Sequence, residues 1–180
     1  PGVNTIADGT AVKTPGKNIF PYIQKNLDDI ITVPDEELVV AFLDIVENHK
    51  MVVENSGLLT VAALKHLNVQ NQRVVSILSG GNMDIITMSS VVQQGLIFRD
   101  RIFTVSVLLP DKPGMLSKVA DVIAKENGNV IKLEHNQFVS INRSAAVELR
   151  ITLETFGTEH KNQIIKALEE KGYQPKQVRT

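Results

Sequence analysis

Residues 101–138 read RIFTVSVLLPDKPGMLSKVADVIAKENGNVIKLEHNQF, and the order of patterns within them decides the fold of the second half of the chain. Ile102 to Leu109 is an apolar run with partial alternation, the mark of a strand with one face in a core. Pro110-Asp111-Lys112-Pro113-Gly114 stops it, because neither proline can donate to a ladder and glycine turns the chain. Leu116, Val119, Ala120 and Ile123 then recur at helical spacing, and the helix ends near Asn127-Gly128. Val130 to Phe138 and Ala145 to Leu153 read as two further strands, joined as a hairpin around Ser140-Ile141-Asn142-Arg143. Thr158 to Lys171 is a second helix with Ile164, Ile165 and Leu168 inside and Gly172 as its stop, and Tyr173 to Val178 forms a last strand.

The second half therefore has the order β-α-β-β-α-β, which predicts a ferredoxin-like unit over 101–180. The first half is less regular. Pro1 to Ile30 reads as an irregular loop, with Asp8-Gly9 and Pro15-Gly16 as turns. A helix follows Pro34-Asp35-Glu36-Glu37, whose acidic side chains favour the positive end of a helix dipole. It buries Leu38, Ala41, Phe42, Ile45 and Val46. Leu58 to Leu67 reads as a helix apolar on most sides, Arg73 to Leu78 as a buried strand, and Asp84 to Gln94 as a helix closed by Gly95. So few strands would leave sheet edges and helix faces uncovered. Residues 1–98 are thus expected to be the C-terminal portion of a larger α/β domain.

Composition narrows the function classes. The 180 residues are 43% hydrophobic and 22% charged, as in a globular protein. No apolar run approaches the ~20 residues that span a bilayer, so no membrane association is expected. Pro1-Gly2-Val3-Asn4 has no signal-peptide character, and the compartment expected is the cytoplasm; the lack of an initiator Met points to a processed or truncated chain. The absence of cysteine excludes disulfides, thiolate nucleophiles and Cys-ligated metals. A net charge of −1 gives no electrostatic case for nucleic acid. His49, His66, His135 and His160 have no partners at metal-ligand spacing, so no metal is expected and they read as surface or helix-end residues.

Three pieces of the first half carry a resemblance: Thr5-Ile6-Ala7-Asp8-Gly9, Glu54-Asn55-Ser56-Gly57, and Ser76-Ile77-Leu78-Ser79-Gly80-Gly81-Asn82-Met83-Asp84. They resemble the C-terminal stretch of the threonine dehydratases (threonine ammonia-lyases), fold-type II pyridoxal-phosphate (PLP) enzymes related to serine dehydratases and racemases. The resemblance implies that Ser79 supplies the hydroxyl beside the pyridine nitrogen of PLP. It gives Gly80 and Gly81 the turn beneath the ring, and places Glu54 near the same side. A hydroxyl keeps the ring a modest electron sink, suited to β-elimination. The Asp8 loop would face the substrate side. The family's Schiff-base lysine and phosphate-cradling glycine loop have no counterpart here. The chain alone is accordingly expected to be inactive and not to retain PLP.

In the second half, Leu109-Pro110-Asp111-Lys112-Pro113-Gly114-Met115-Leu116 and Asn127-Gly128-Asn129-Val130-Ile131 resemble an ACT domain, the small amino-acid-sensing module. The resemblance implies effector binding between paired modules. Gly114 and the helix mouth would meet a carboxylate, Asp111 an ammonium, Met115 and Leu116 the side chain, and Asn129 would add a donor and an acceptor. Where relatives often show His-Asp-Arg, this chain has His135-Asn136-Gln137, which leaves open whether the module senses a ligand or only assembles subunits.

The resemblances together imply a regulatory C-terminal fragment of an enzyme converting threonine to 2-oxobutanoate and ammonia. Isoleucine or valine is the expected effector, as in isoleucine biosynthesis, and the ACT modules would form a homodimer within a tetrameric parent. The alternatives are a non-catalytic amino-acid-binding regulator and a serine dehydratase or racemase relative.

Overall fold

The computed structural model describes residues 4–137 and 147–180. The chain divides into two compact units, Pro1–Gly95 and Leu96–Thr180, each with its own apolar core.

The first unit is built on helices. After α1 (Phe20–Asn26), helix α2 (Asp35–His49) begins directly behind Pro34, with Asp35, Glu36 and Glu37 in its first turn. Its apolar stripe buries Leu38, Val39, Ala41, Phe42, Leu43 and Ile45. Leu38, Phe42 and Leu58 lose all contact with solvent, and Ala7, Val53 and Val91 close the core around them. The region read as a helix from Leu58 to Leu67 is a chain of short turns: a 3-10 turn at Asn55–Leu58, α3 (Leu59–Ala62) and another 3-10 turn at Ala63–His66. Helix α4 (Ile85–Phe98) runs four residues beyond its expected end, Gln94. The stretch read as an irregular loop to Ile30 holds α1 and a 3-10 turn at Asp8–Thr10.

The expected strand in this unit is overturned. Arg73–Leu78, read as a buried strand, joins no sheet among the described residues, and Val75 is 88% and Ile77 71% exposed. A strand is defined by a neighbour's hydrogen-bonding ladder, and no described strand of this unit supplies one. The segment is held by side chains instead: the Thr60 hydroxyl donates to the Ile77 carbonyl (2.9 Å) and the Ser76 hydroxyl to the Thr60 carbonyl (3.3 Å).

The second unit has the expected β-α-β-β-α-β order: β1 (Ile102–Leu109), α5 (Met115–Lys125), β2 (Asn129–Asn136), β3 (Val147–Glu154), α6 (Thr158–Glu170) and β4 (Lys176–Val178). The sheet runs β2-β3-β1-β4, and every pairing is antiparallel. The hairpin expected around Ser140–Arg143 lies outside the described residues. Alternation sends Phe103, Val105, Val107 and Leu109 of β1, with Leu149, Ile151 and Leu153 of β3, into one core. Helix α5 covers it with Val119, Val122 and Ile123, and α6 with Ile164 and Leu168. No helix among the described residues is long and apolar enough to cross a membrane.

Helix α6 is pinned at its start. Asp100 accepts hydrogen bonds from the Thr158 hydroxyl and the Lys161 ammonium, both at 2.8 Å, and its backbone carbonyl accepts one from the Thr155 hydroxyl. Partial burial raises the Asp100 pKa, but Lys161 and Thr158 outweigh it and hold the carboxyl below its ordinary value. His160, expected at the surface, is buried: its Nδ1 accepts the Phe156 amide (3.1 Å) and its Nε2 meets the Glu126 carbonyl (2.5 Å). Those bonds make burial of an imidazole tolerable.

A carboxyl whose pKa is depressed by folding stabilises the fold above its unfolded pKa and loses that contribution as pH falls through the folded value. Acidification below about pH 4 is therefore expected to lower the melting temperature of the second unit, followed by circular dichroism. Asp100→Asn should melt lower at neutral pH and show a shallower acid decline. Parallel pH curves for the two proteins would refute this role for Asp100.

Candidate functional site

In the first unit, three stretches distant in sequence meet. The Thr5–Gly9 loop is tied to the start of α2, where Asp35 accepts the Thr5 hydroxyl (2.5 Å) and the Ile6 amide (3.0 Å). The Asn55 amide donates to the Ile6 carbonyl (3.0 Å), joining that loop to the turn after Glu54. Glu54 in turn binds the third stretch: its amide donates to the Gly80 carbonyl (3.3 Å) and its Oε2 accepts the Asn82 amide (3.3 Å).

Two glycines make this closeness possible. A Cβ on Gly57 would lie 1.7 Å from the Ser79 carbonyl oxygen. Gly80 has φ +77°, and a Cβ there would enter the Glu54 carboxylate at 2.2–2.5 Å. The sequence-predicted Ser79, Gly80 and Glu54 thus form one turn, with Glu54 packed on Gly80 and the Ser79 side chain exposed. Asp84, just beyond, caps α4 through the Ile86 amide (2.9 Å), the Thr87 amide (3.0 Å) and the Thr87 hydroxyl. These bonds, the Thr87 hydroxyl foremost, hold its carboxyl below the ordinary range.

Beside the turn opens a hollow of about 460 Å³. Asp8, Glu54, Asn55, Asn82 and Asp84 line its polar part, and Val39, Met83 and Val91 belong to its apolar part. Asn55 is only 5% exposed, and its Oδ1 has no hydrogen-bond partner among the described residues. Nothing in the composition or periodicity around Asn55 marked it out.

The second unit has a hollow of about 350 Å³ at the C-terminal end of β1. It gathers four of the predicted residues, Asp111, Gly114, Met115 and Leu116, where Gly114 turns the chain with φ +83° at the start of α5. It adds Leu109, Val147 and Leu149 as a buried aliphatic floor, and Lys112 and His135 at the rim. Strand parity pointed to that floor; His135 was singled out only as part of the run His135-Asn136-Gln137, and as a surface residue. Asn129 is elsewhere. It pairs with Glu154 at the far end of β2 and donates to the Glu154 carboxylate (3.0 Å), whereas the hollow lies where Leu109 pairs with Val147. Seven strand steps separate those ends, about 23 Å.

Comparison with known proteins follows the same division. Residues 1–80 match the pyridoxal-phosphate dependent enzyme family and residues 103–172 the ACT domain family. An L-threonine ammonia-lyase of Geobacter sulfurreducens is 37% identical over 171 residues, covering 94% of this chain and 42% of that protein. One of Thermotoga maritima is 32% identical over 174 residues, covering 96% and 43%. An L-threo-3-hydroxyaspartate ammonia-lyase of a Pseudomonas species is 44% identical over 91 residues, covering 49% and 28%. The chain therefore joins part of a PLP-dependent enzyme domain to an ACT domain. It belongs to the threonine dehydratases that carry an ACT domain, and it spans less than half the length of these relatives.

Ser79 presents an exposed hydroxyl, a group able to meet a neutral pyridine nitrogen, on a turn whose backbone is fixed by Glu54. The space beside Gly80 is filled by the Glu54 carboxylate, so Glu54 supports the turn. When bound, PLP supplies the electron sink that the reaction class requires.

Gly80→Ala would force a side chain into the left-handed region and against Glu54. It is expected to cost more than ~1 kcal/mol, read as a lower urea midpoint for the first unit. Gly57→Ala, which meets backbone, should cost more than Gly80→Ala, which meets a movable side chain. Equal or negligible losses would show that the close packing of these turns is relaxed in solution.

Proposed function

We propose that the protein to which this chain belongs deaminates L-threonine to 2-oxobutanoate and ammonia by PLP-dependent β-elimination. In this reading residues 1–98 are the C-terminal portion of the catalytic domain, and residues 101–180 form the module that controls it. The single observation that carries the reading is the ordered pair of modules in one chain, similar to L-threonine ammonia-lyases over 94% of its length. Ser79 is the residue set against the pyridine nitrogen of PLP. Without the Schiff-base lysine and phosphate loop the chain by itself is inactive and does not retain the cofactor.

The module's ligand is an aliphatic amino acid, isoleucine or valine, as feedback control of isoleucine biosynthesis requires. The hollow at the end of β1 supports this choice: about 350 Å³ with an aliphatic floor suits a branched side chain. The amides at the start of α5 favour its carboxylate, and Asp111 offers a partner to its ammonium. Asn129 enters this site from a second copy, since its own hollow is out of reach. Pairing of ACT modules would therefore give a homodimer within a tetrameric enzyme. The resemblance of part of the chain to an L-threo-3-hydroxyaspartate ammonia-lyase keeps a different β-hydroxy amino acid as the second reading for the substrate.

Thermal melting of the chain with isoleucine, valine, leucine, threonine or serine tests the regulatory reading. A selective rise with isoleucine or valine is expected, corresponding to ~2.7 kcal/mol at a hundredfold excess over Kd. No response to any of them would leave the module an assembly device. In the full-length enzyme, Ser79→Ala should lower kcat for threonine about tenfold, the worth of roughly one hydrogen bond to the ring. Unchanged turnover would remove Ser79 from the cofactor site.

A further inference from the structure

We propose that Asn127-Gly128 is a modification site gated by the fold: it deamidates spontaneously, and only when the turn that closes α5 opens. The inference is independent of the effector reading. These two residues are the one Asn-Gly pair in the sequence. Glycine carries no side chain to hinder attack by its own nitrogen on the asparagine before it, which makes this pair the most reactive of its kind. In that reaction the Gly128 nitrogen gives up its proton and bonds to Asn127 Cγ, and the side-chain nitrogen leaves as ammonia. Water then opens the five-membered imide, at Cγ to leave aspartate or at the backbone carbonyl to leave isoaspartate. Water is the one co-reactant, and nothing is oxidised or reduced.

The closed turn blocks both requirements of the attack. The nitrogen must be free of its proton, and the Gly128 amide donates that proton to the Ile123 carbonyl at 2.9 Å. Ring closure must also bring the nitrogen round to Asn127 Cγ, which takes Asn127 out of the left-handed conformation it holds (φ +60°). Gly128 has no room to follow. A Cβ on it would stand 2.8 Å from the Ile123 side chain and 2.9 Å from that of Ile164, both fully buried. Two further bonds hold the turn: the Asn127 amide donates to the Ala124 carbonyl (3.0 Å), and Nε2 of His160 meets the Glu126 carbonyl (2.5 Å). The Asn127 side chain itself is exposed, so water reaches it without disturbing the core. What limits the reaction is therefore the opening of the turn, the same event that lets the Gly128 amide exchange with solvent. Isoaspartate would lengthen the main chain by one atom directly before Gly128, where packing on Ile123 and Ile164 leaves no slack.

The whole chain, held at mildly alkaline pH either folded or unfolded in guanidinium chloride, tests the proposal by peptide mapping and isoaspartate detection. Deamidation at Asn127 should be at least about tenfold slower in the folded chain, as for an amide that exchanges only through opening. His160→Ala, which removes the bond to the Glu126 carbonyl, should speed both deamidation at Asn127 and hydrogen exchange of the Gly128 amide under native conditions. Equal deamidation rates in the folded and unfolded chain overturn the gating, whether or not the variant folds. An Asn127 that stays intact in the unfolded chain overturns the modification site itself. Faster Gly128 exchange in His160→Ala with unchanged deamidation overturns the link between opening and reaction.

Discussion

The antiparallel pairing of β1 with β3, unbroken from Ile102↔Glu154 to Leu109↔Val147, is the constraint on which the second unit depends. With a side-chain period of two, this register commits Phe103, Val105, Val107 and Leu109 to the same face as Leu149, Ile151 and Leu153. A slip by one residue would present Thr104 and Ser106 to the helices instead. The same register sets the two ends of the sheet. It puts the turn Pro110–Gly114 beside Val147 and His135, and it puts Asn129 at the other end beside Glu154. No side-chain movement spans the ~23 Å between them. Within one copy, therefore, the loop and Asn129 do not share a site.

The first unit is held together differently. Its organising contacts are backbone to backbone, at Gly57 against Ser79 and Gly80 against Glu54, and they tie turns rather than strands. Turns fixed in this way can present a hydroxyl such as that of Ser79 at a defined place without a surrounding sheet. The apolar face of Arg73–Leu78 has no such closure, and Val75 and Ile77 lie open. Exposed β-branched residues in an extended segment are suited to packing within a sheet. The relatives are more than twice as long as this chain.

The difference between the units explains what could be read from sequence. The second unit was legible almost throughout, because its strands and helices each carry their own period. Leu116, Val119 and Ile123 predict α5, and the alternation in β1 predicts its buried face. The first unit was legible in α2, whose stripe is complete within its own residues. It was not legible at Arg73–Leu78, where an apolar run reports affinity for a core without reporting whether a neighbour exists. The break of Leu58–Leu67 into short turns was hidden for a related reason: periodicity gives a face, whereas the close approach of Gly57 to Ser79 fixes the backbone. At the site, motif residues that are adjacent in sequence were found together. Asn55, Lys112 and His135 stood in the quoted motifs with no contact role assigned, because their placement comes from register and packing.

Parity also changes what the departure at the end of β2 means. His135-Asn136-Gln137 lacks the two charges of the His-Asp-Arg run that the resemblance leads one to expect, which reads in sequence as the loss of a charged binding strip. In the sheet, adjacent residues face opposite sides. Asn136 sits over Glu148, which is held below the usual carboxylate range first by the Ser106 hydroxyl and then by Arg150 and Asn136 itself. An aspartate at that position would meet the Glu148 carboxylate and repel it, so the neutral amide is the better neighbour there. Gln137 lies beyond the last residue of β2. The residue of the three that lines the hollow is His135, the one that matches the expected run. The altered charges thus fall on the opposite face of the sheet and past its end, and the chemistry of the hollow is left with Asp111, Lys112 and His135.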